Sequence, residues 1–230
     1  MDIIDCIKTR RSVRRFQNTK IPEQVLYTIL DAANQAPCAG GLQTWRFLVV
    51  EEEKGRQAVA KAALRQDWIS SAPVIVLLCS EPKQLAVEFG KRALELYDAQ
   101  NTSMAAENLM LAAWNFGIGS TFVSAFVETQ LRTHFKIPAA IHIHGIIPLG
   151  YPAEAPLGIA RVATEDLTYF EEWGNELKSE FKVISGIVYP EKYEVRLGEE
   201  AEKLAREVVG RVKKEVRKRL PKKKAKGRKK

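Results

Sequence analysis

Arg10-Arg11-Ser12-Val13-Arg14-Arg15-Phe16 sets four arginines and a hydroxyl directly after a short amphipathic segment in which Ile3, Ile4 and Ile7 recur at helical spacing. That spacing predicts a helix ending at or just before the arginines. A guanidinium fork gives parallel, charge-assisted hydrogen bonds, which suits phosphate and planar oxyanions. By itself the cluster is equally a solvated face or a nucleic-acid contact. The rest of the chain has to decide between these.

Charge placement bears on the second of them. Residues 196–230 hold 16 Lys and Arg against 5 Glu, a net of +11. The whole chain is +8, which leaves −3 for residues 1–195. The basic character therefore belongs to the tail, and a mildly acidic body does not read as a nucleic-acid-binding domain. At 230 residues, 46% hydrophobic and 28% charged, the chain reads as one globular domain with an appendage. No run nears the roughly 18 apolar residues of a membrane span, and Asp2 and Asp5 interrupt any signal-like start. Cys6, Cys38 and Cys79 are odd in number and widely spaced, which fits a cytoplasmic protein.

Ile21-Pro22-Glu23 opens a helix with the buried stripe Val25, Leu26, Ile29, Leu30 and Ala33, stopping near Ala36-Pro37. The small-residue loop from Cys38 to Trp45 follows. It is read either as a plain helix-to-strand connection or as a place where backbone approaches a ligand. A strand Arg46–Val50, a helix Lys54–Leu64 and a continuous apolar strand Val74–Cys79 come next, the last expected to be covered on both faces. A helical region Leu85–Phe116, interrupted near Glu88–Gly90, loses its polar face in its second half and should be central. Gly117 ends it. A short strand Ser120–Val123, a helix Glu128–Phe135 and a strand Ile141–Leu149 complete the body. This alternation alone argues for a mixed α/β domain and leans toward a parallel sheet. Glu165–Phe181 reads as a polar helix, Glu199–Leu220 as an amphipathic helix with a near-heptad stripe, and Lys222–Lys230 as a disordered lysine-rich end. The boundary between domain and extension is set at residues 182 and 183.

His134, His142 and His144 are the three histidines. His142 and His144 share one strand face at period two, but a pair without a third ligand is usually structural, and no metal is expected. Arginines, a hydroxyl and small-residue loops instead suit a phosphorylated, planar cofactor that carries the chemistry itself.

Five blocks in order resemble the nitroreductase family of FMN-dependent oxidoreductases, across about Met1 to Phe170. They are Arg10–Arg14 with Phe16; Ala36–Phe47; Gln66-Asp67-Trp68-Ile69 ahead of Ala72-Pro73; Asp98 with Glu107–Leu109, Leu111–Ala113 and Gly117–Ser120; and Pro148–Pro152 with Arg161. The resemblance implies an α+β fold, a central mostly antiparallel sheet flanked by helices, and an intertwined homodimer with FMN sites at the subunit interface. It replaces the parallel leaning. It also implies hydride transfer from NAD(P)H through FMN to an electron-poor small aromatic acceptor such as a nitroaromatic or quinone. Within the family a halogenated or cofactor-like ring is an alternative acceptor, and a flavin-binding module with little turnover is an alternative role. By position the motif including Arg11 is the flavin motif, in which Arg10, Ser12 and Arg161 would hold the FMN phosphate and Arg14 would sit near the pyrimidine edge. Pro37, Cys38, Ala39, Gly40 and Gly41 would come from the other subunit. Gln66 would bond the ring edge, and Pro148, Leu149 and Gly150 would bring backbone near the ring. No catalytic acid or base is named. Trp45, Trp68, Phe122 and Phe126 are candidates for the acceptor pocket or for the core.

The chain departs from the family pattern at Cys38, where Ser is usual, and at Gly41, where Asn is usual. Any nucleic-acid contact would be non-specific and confined to the basic tail.

Overall fold

A computed structural model describes residues 1–156, 158 and 160–176. Among these residues six α-helices and four strands run α1 (Ile3–Thr9), α2 (Glu23–Asn34), β1 (Trp45–Val50), α3 (Glu53–Ala62), β2 (Val74–Ser80), α4 (Lys83–Phe89), α5 (Asp98–Asn115), β3 (Gly119–Ser120), α6 (Glu128–Phe135) and β4 (His142–Gly150). The sheet order is β1-β2-β4-β3, and every strand pairing is antiparallel. The fold is α+β, as the motif resemblance implied. The parallel sheet suggested by helix–strand alternation is overturned, because these helices do not act as crossovers between neighbouring parallel strands. No helix among the described residues is long and apolar enough to cross a membrane.

β2 is buried at all seven positions because it is the partition between two apolar layers. Ile75, Leu77 and Cys79 pack into one cluster, and Val74, Val76 and Leu78 into the other. This is the two-residue alternation of a strand with both faces covered. β4 divides likewise, with Ile143 and Ile146 on one side and Ile147 and Leu149 on the other.

Helix α5 joins the second layer through Ala106, Leu109, Met110 and Ala113. Its end is built by Gly117, whose φ of 72° lets the Gly117 N–H reach the Trp114 carbonyl and the Ile118 N–H reach that of Ala113. That double bond pattern is a Schellman stop. The expected interruption near Glu88–Gly90 is present: α4 ends at Phe89, Gly90 turns at φ 62°, and a π-helical turn, Ala93–Tyr97, leads into α5.

Two expectations need correction. The strand read at Ser120–Val123 is only Gly119–Ser120, with Val123 forming an isolated bridge to Ile146. The polar helix read at Glu165–Phe181 is, as far as Glu176, a 3-10 turn, Thr164–Leu167, followed by bends and a turn closed by a Tyr169–Glu176 bridge, with Trp173 91% exposed; residues 177–181 lie outside the described residues. Without an apolar surface beneath it, a polar stretch has nothing to bury a helical stripe against. The readings of Glu199–Leu220 and Lys222–Lys230, and the boundary at 182, lie outside the described residues.

Ile3, Ile4 and Ile7 do not face the core: they are 60%, 51% and 51% exposed, and Cys6 is the buried residue of α1. Gly119 and Gly150 pair across β3 and β4, and each makes room for one residue of the arginine stretch. A Cβ on Gly119 would lie 2.5–2.9 Å from Val13 side-chain atoms, and one on Gly150 would lie 2.9 Å from Phe16 Cδ1. Gly119→Ala should therefore destabilise the fold by about 1–3 kcal/mol through overpacking against the branched Val13. Chemical denaturation of the two proteins side by side checks this; equal midpoints would show that Val13 can move aside.

Candidate functional site

The arginine stretch starts where α1 stops, with the Arg10 N–H still donating to the Cys6 carbonyl at 3.0 Å. From there the chain is fastened to the sheet edge. The Val13 N–H donates to the Ser120 carbonyl at 2.9 Å, Thr121 Oγ1 donates to the Val13 carbonyl at 2.7 Å, and Ser12 bridges Ser120. Ser120 in turn pairs with Leu149. Ser12 thus lies two lateral strand spacings, about 10 Å, from Leu149. The structure brings the arginine motif together with Pro148, Leu149 and Gly150, which are themselves buried.

The arginines have different surroundings. Arg15 forms an exposed ion pair with Glu154 at 3.0 Å. Arg11 donates from Nη1 to the carbonyls of Lys8 and Arg10 at 2.7 and 2.9 Å, which ties it to the end of α1. Arg10 is 18% exposed and faces Glu107 at 3.7 Å, while its Nε is buried without a hydrogen-bond acceptor. Arg14 is exposed and has no ion-pair or hydrogen-bond partner among the described residues. Ser12 is also exposed. A cationic donor without a partner, Arg14, and a second without a hydrogen bond, Arg10, beside an exposed hydroxyl are the kind of donor set a phosphate or an anionic ring edge requires.

The loop after α2 is held by a residue that sequence reasoning missed. Buried Asn101 of α5 accepts from the Ala39 N–H at 2.9 Å and donates to the Leu42 carbonyl at 3.2 Å, closing both ends of a 3-10 turn, Ala39–Gly41. The signal was a buried-type helix carrying an amide where an apolar residue would otherwise stand. Gly40 and Gly41 both have positive φ, at 60° and 72°. A Cβ on Gly40 would meet Phe89 at 2.7 Å, whereas one on Gly41 would meet nothing within 4 Å. Pro37 is exposed and Cys38 half-buried.

Within one chain this loop and Arg10 lie apart. Asn101 and Glu107, which contact them, are six residues distant on α5, about 9 Å along the axis and about 120° around it. Gln66 donates from Nε2 to the Ala63 carbonyl at 3.0 Å, following two non-glycine residues of positive φ, Leu64 and Arg65. One amide N–H and the side-chain oxygen of Gln66 remain. Arg161 is exposed in irregular chain, and no described contact brings it to the other arginines. Of the candidate pocket aromatics, Trp45 is buried and donates from Nε1 to Asn34 Oδ1 at 3.0 Å, which assigns it to the core. A surface depression of about 490 Å³ bordered by Tyr27, Leu30, Asn34, Gln43 and Trp45 contains none of the residues expected to hold FMN.

A second polar cluster lies at the far end of the β2–β4 pair. Asp98, the first residue of α5, is fully buried, and its Oδ2 accepts from Ser80 Oγ at 2.7 Å and faces His142 Nδ1 at 2.9 Å and His144 Nε2 at 3.2 Å. Burial pushes this carboxyl up, but the hydrogen bonds from His144, Ser80 and His142 outweigh it and hold Asp98 below its ordinary value. The two histidines therefore do have a third group beside them, supplied by a helix 44 residues before His142 in the chain.

The three cysteines are free. Cys6 donates to the Leu111 carbonyl at 3.2 Å, and burial raises its pKa. Burial pushes Cys79 up to about 11.

A model of the nitroreductase family matches residues 7–66 and 57–151. A Methanothermobacter thermautotrophicus protein named NADH dehydrogenase/NAD(P)H nitroreductase is 30% identical over 177 residues, covering 75% of this chain and 88% of its own. An iodotyrosine deiodinase from Thermotoga neapolitana is 26% identical over 165 residues, covering 65% and 88%. The solved structure of an FMN-dependent nitroreductase from Clostridium difficile superposes with a TM-score of 0.63 at 22% identity, covering 74% of this chain and 99% of that one. The chain belongs to the nitroreductase family of oxidoreductases.

Alkylation should separate the cysteines. At pH 8 the thiolate fraction of a thiol at about 11 is about one in a thousand, so iodoacetamide should label Cys38 well before Cys79 or Cys6. Peptide mass spectrometry reads the order. Equal labelling of all three would contradict the burial described.

Proposed function

We propose that the protein binds FMN and NAD(P)H and passes a hydride through the flavin to an electron-poor aromatic acceptor such as a nitroaromatic or quinone. The observation that carries this reading is the unpartnered Arg14 guanidinium together with Arg10, which makes no side-chain hydrogen bond among the described residues and faces Glu107 at 3.7 Å, flanking exposed Ser12 on a motif fastened next to Leu149. It is supported by family membership and by the FMN-dependent structural neighbour. FMN, when bound, supplies the hydride-carrying ring.

The chain's own residues bind and orient. Arg10 and Ser12, joined by Arg161, hold a phosphate, with Arg11 bracing the end of α1 beneath them. Arg14 presents a fixed cation to the ring edge where reduction leaves negative charge, which favours the reduced state electrostatically. Gln66 has a donor and an acceptor left for the ring edge. Pro148, Leu149 and Gly150 bring backbone to the same region. Pro37, Cys38, Ala39, Gly40 and Gly41 are set by Asn101 on a different face of α5 from Arg10, which suits a loop delivered to the site of a partner subunit. A homodimer is further supported by the exposed Ile3, Ile4 and Ile7, an apolar face on α1 that a second copy would cover. This chemistry is assigned to residues 1–182, and the basic extension 183–230 stands outside it. The similarity to an iodotyrosine deiodinase favours a halogenated phenol as the second acceptor class to try.

The deciding experiment is anaerobic addition of NADH or NADPH to the purified chain loaded with FMN. The flavin colour should bleach and return when a nitroaromatic or quinone is added. Bound flavin that neither nucleotide reduces would leave a binding module only, and failure to retain FMN would sink the reading altogether.

Arg10→Ala should weaken FMN by about 1.5–3 kcal/mol, the worth of one charge-assisted hydrogen bond, and riboflavin much less. Fluorescence titration of the two flavins measures the difference. Equal losses for both would move Arg10 away from the phosphate.

A further inference from the structure

We propose that Asp98, His142 and His144 form a binding site for a divalent transition ion of the Zn²⁺ or Fe²⁺ class, separate from the cofactor site. Their ligand atoms all lie within 4.8 Å of one another. In a tetrahedral centre with bonds of about 2.0–2.2 Å, neighbouring ligand atoms stand about 3.3 Å apart. The Asp98 Oδ2 distances of 2.9 Å to His142 Nδ1 and 3.2 Å to His144 Nε2 are within a few tenths of an ångström of that value, and the two ring nitrogens, within 4.8 Å of each other, would close around the ion.

Three further features point to a ligand. First, Asp98 Oδ1 is buried and without a hydrogen-bond partner among the described residues, so the fully buried carboxylate keeps one oxygen unsatisfied. A buried carboxylate is costly unless a cation or full hydrogen bonding compensates it. Second, the β2–β4 register slips between Leu78 and Cys79: Leu78 pairs with Gly145 and Cys79 with Ile143, leaving His144 as the extra residue. Bulges re-aim side chains, and this one turns the His144 ring toward Asp98. Third, Ser80 Oγ donates to Asp98 Oδ2, the outer contact that orients a ligating carboxylate. His142 is 41% exposed, giving an ion a route in and leaving a coordination position open to water.

The site stands away from the arginine motif and Leu149 of the same chain. Ser80 pairs with His142 and Val74 with Leu149, so the two places lie six residues, about 20 Å, apart along the strands. Imidazole and carboxylate ligands suit borderline divalent ions rather than Mg²⁺ or Ca²⁺. An ion held here would join the start of α5 to the ends of β2 and β4.

The test is titration of chelator-treated, full-length protein with Co²⁺, followed by its visible absorption, and then displacement by Zn²⁺. One ion per chain is expected, with a Zn²⁺-dependent rise in melting temperature. Since outer-shell changes alone cost about 10- to 100-fold in affinity, His142→Gln should weaken binding by at least about tenfold. Asp98→Asn, which keeps the shape, should do the same. His142 is exposed enough that His142→Gln keeps the test valid if Asp98→Asn fails to fold. No stoichiometric uptake, or uptake unchanged in His142→Gln, would overturn the proposal and leave a hydrogen-bonded network without a metal.

Discussion

Several of the elements on which both candidate sites depend are anchored to one buried helix. α5 packs apolar residues into the layer beneath β2 and β4, and its few polar side chains emerge where other elements need anchoring. Asp98 at its start gathers Ser80, His142 and His144; Asn101, one turn on, clamps the loop around Gly40; Glu107 faces Arg10. Near its end, the Leu111 carbonyl and the Trp114 ring N–H hold α1 through Cys6 and Thr9. A helix with this role cannot shift without moving all of these together, and its burial on the sheet is what holds it still.

The sheet supplies the second constraint. With β2 sealed on both faces, the exposed work is left to edges and ends. At one end, the glycine pair Gly119 and Gly150 leaves space that Val13 and Phe16 fill, so a strongly basic segment lies against the sheet while Ser12, Arg14 and Arg15 stay exposed. At the other end, a one-residue slip in register aims His144 at a buried carboxylate. Both arrangements come from small backbone features, a missing Cβ and an extra residue, rather than from unusual side chains.

Much of the architecture was legible in the linear pattern because burial leaves a periodic trace. The apolar run at Val74 reads as a strand between two layers, the loss of polar residues after Met104 reads as a central helix, and Glu128–Phe135 is a helix with those bounds. The five ordered motif blocks carried the family. Local pattern misled where long-range pairing decides: alternation of helix and strand does not state strand direction, and polarity at Glu165–Trp173 does not make a helix without a surface to cover.

The sequence by itself determined that the strand at Val74 is covered on both faces, that a central helix precedes Gly117, where the helix Glu128–Phe135 begins and ends, and that an arginine-rich motif precedes a small-residue loop. Those properties depend on neighbours three or four residues away, or two in a strand. Only the tertiary structure decided which distant groups meet. Asp98 stands 44 residues from His142, and Asn101 stands 62 from Ala39. Chain separation carries no sign of such contacts, since they arise when packing of apolar faces brings a helix end over a strand end. The exposure of Ile3, Ile4 and Ile7 was hidden for the same reason: an amphipathic stripe does not state what lies against it, and the fold of the single chain leaves these residues off its own core.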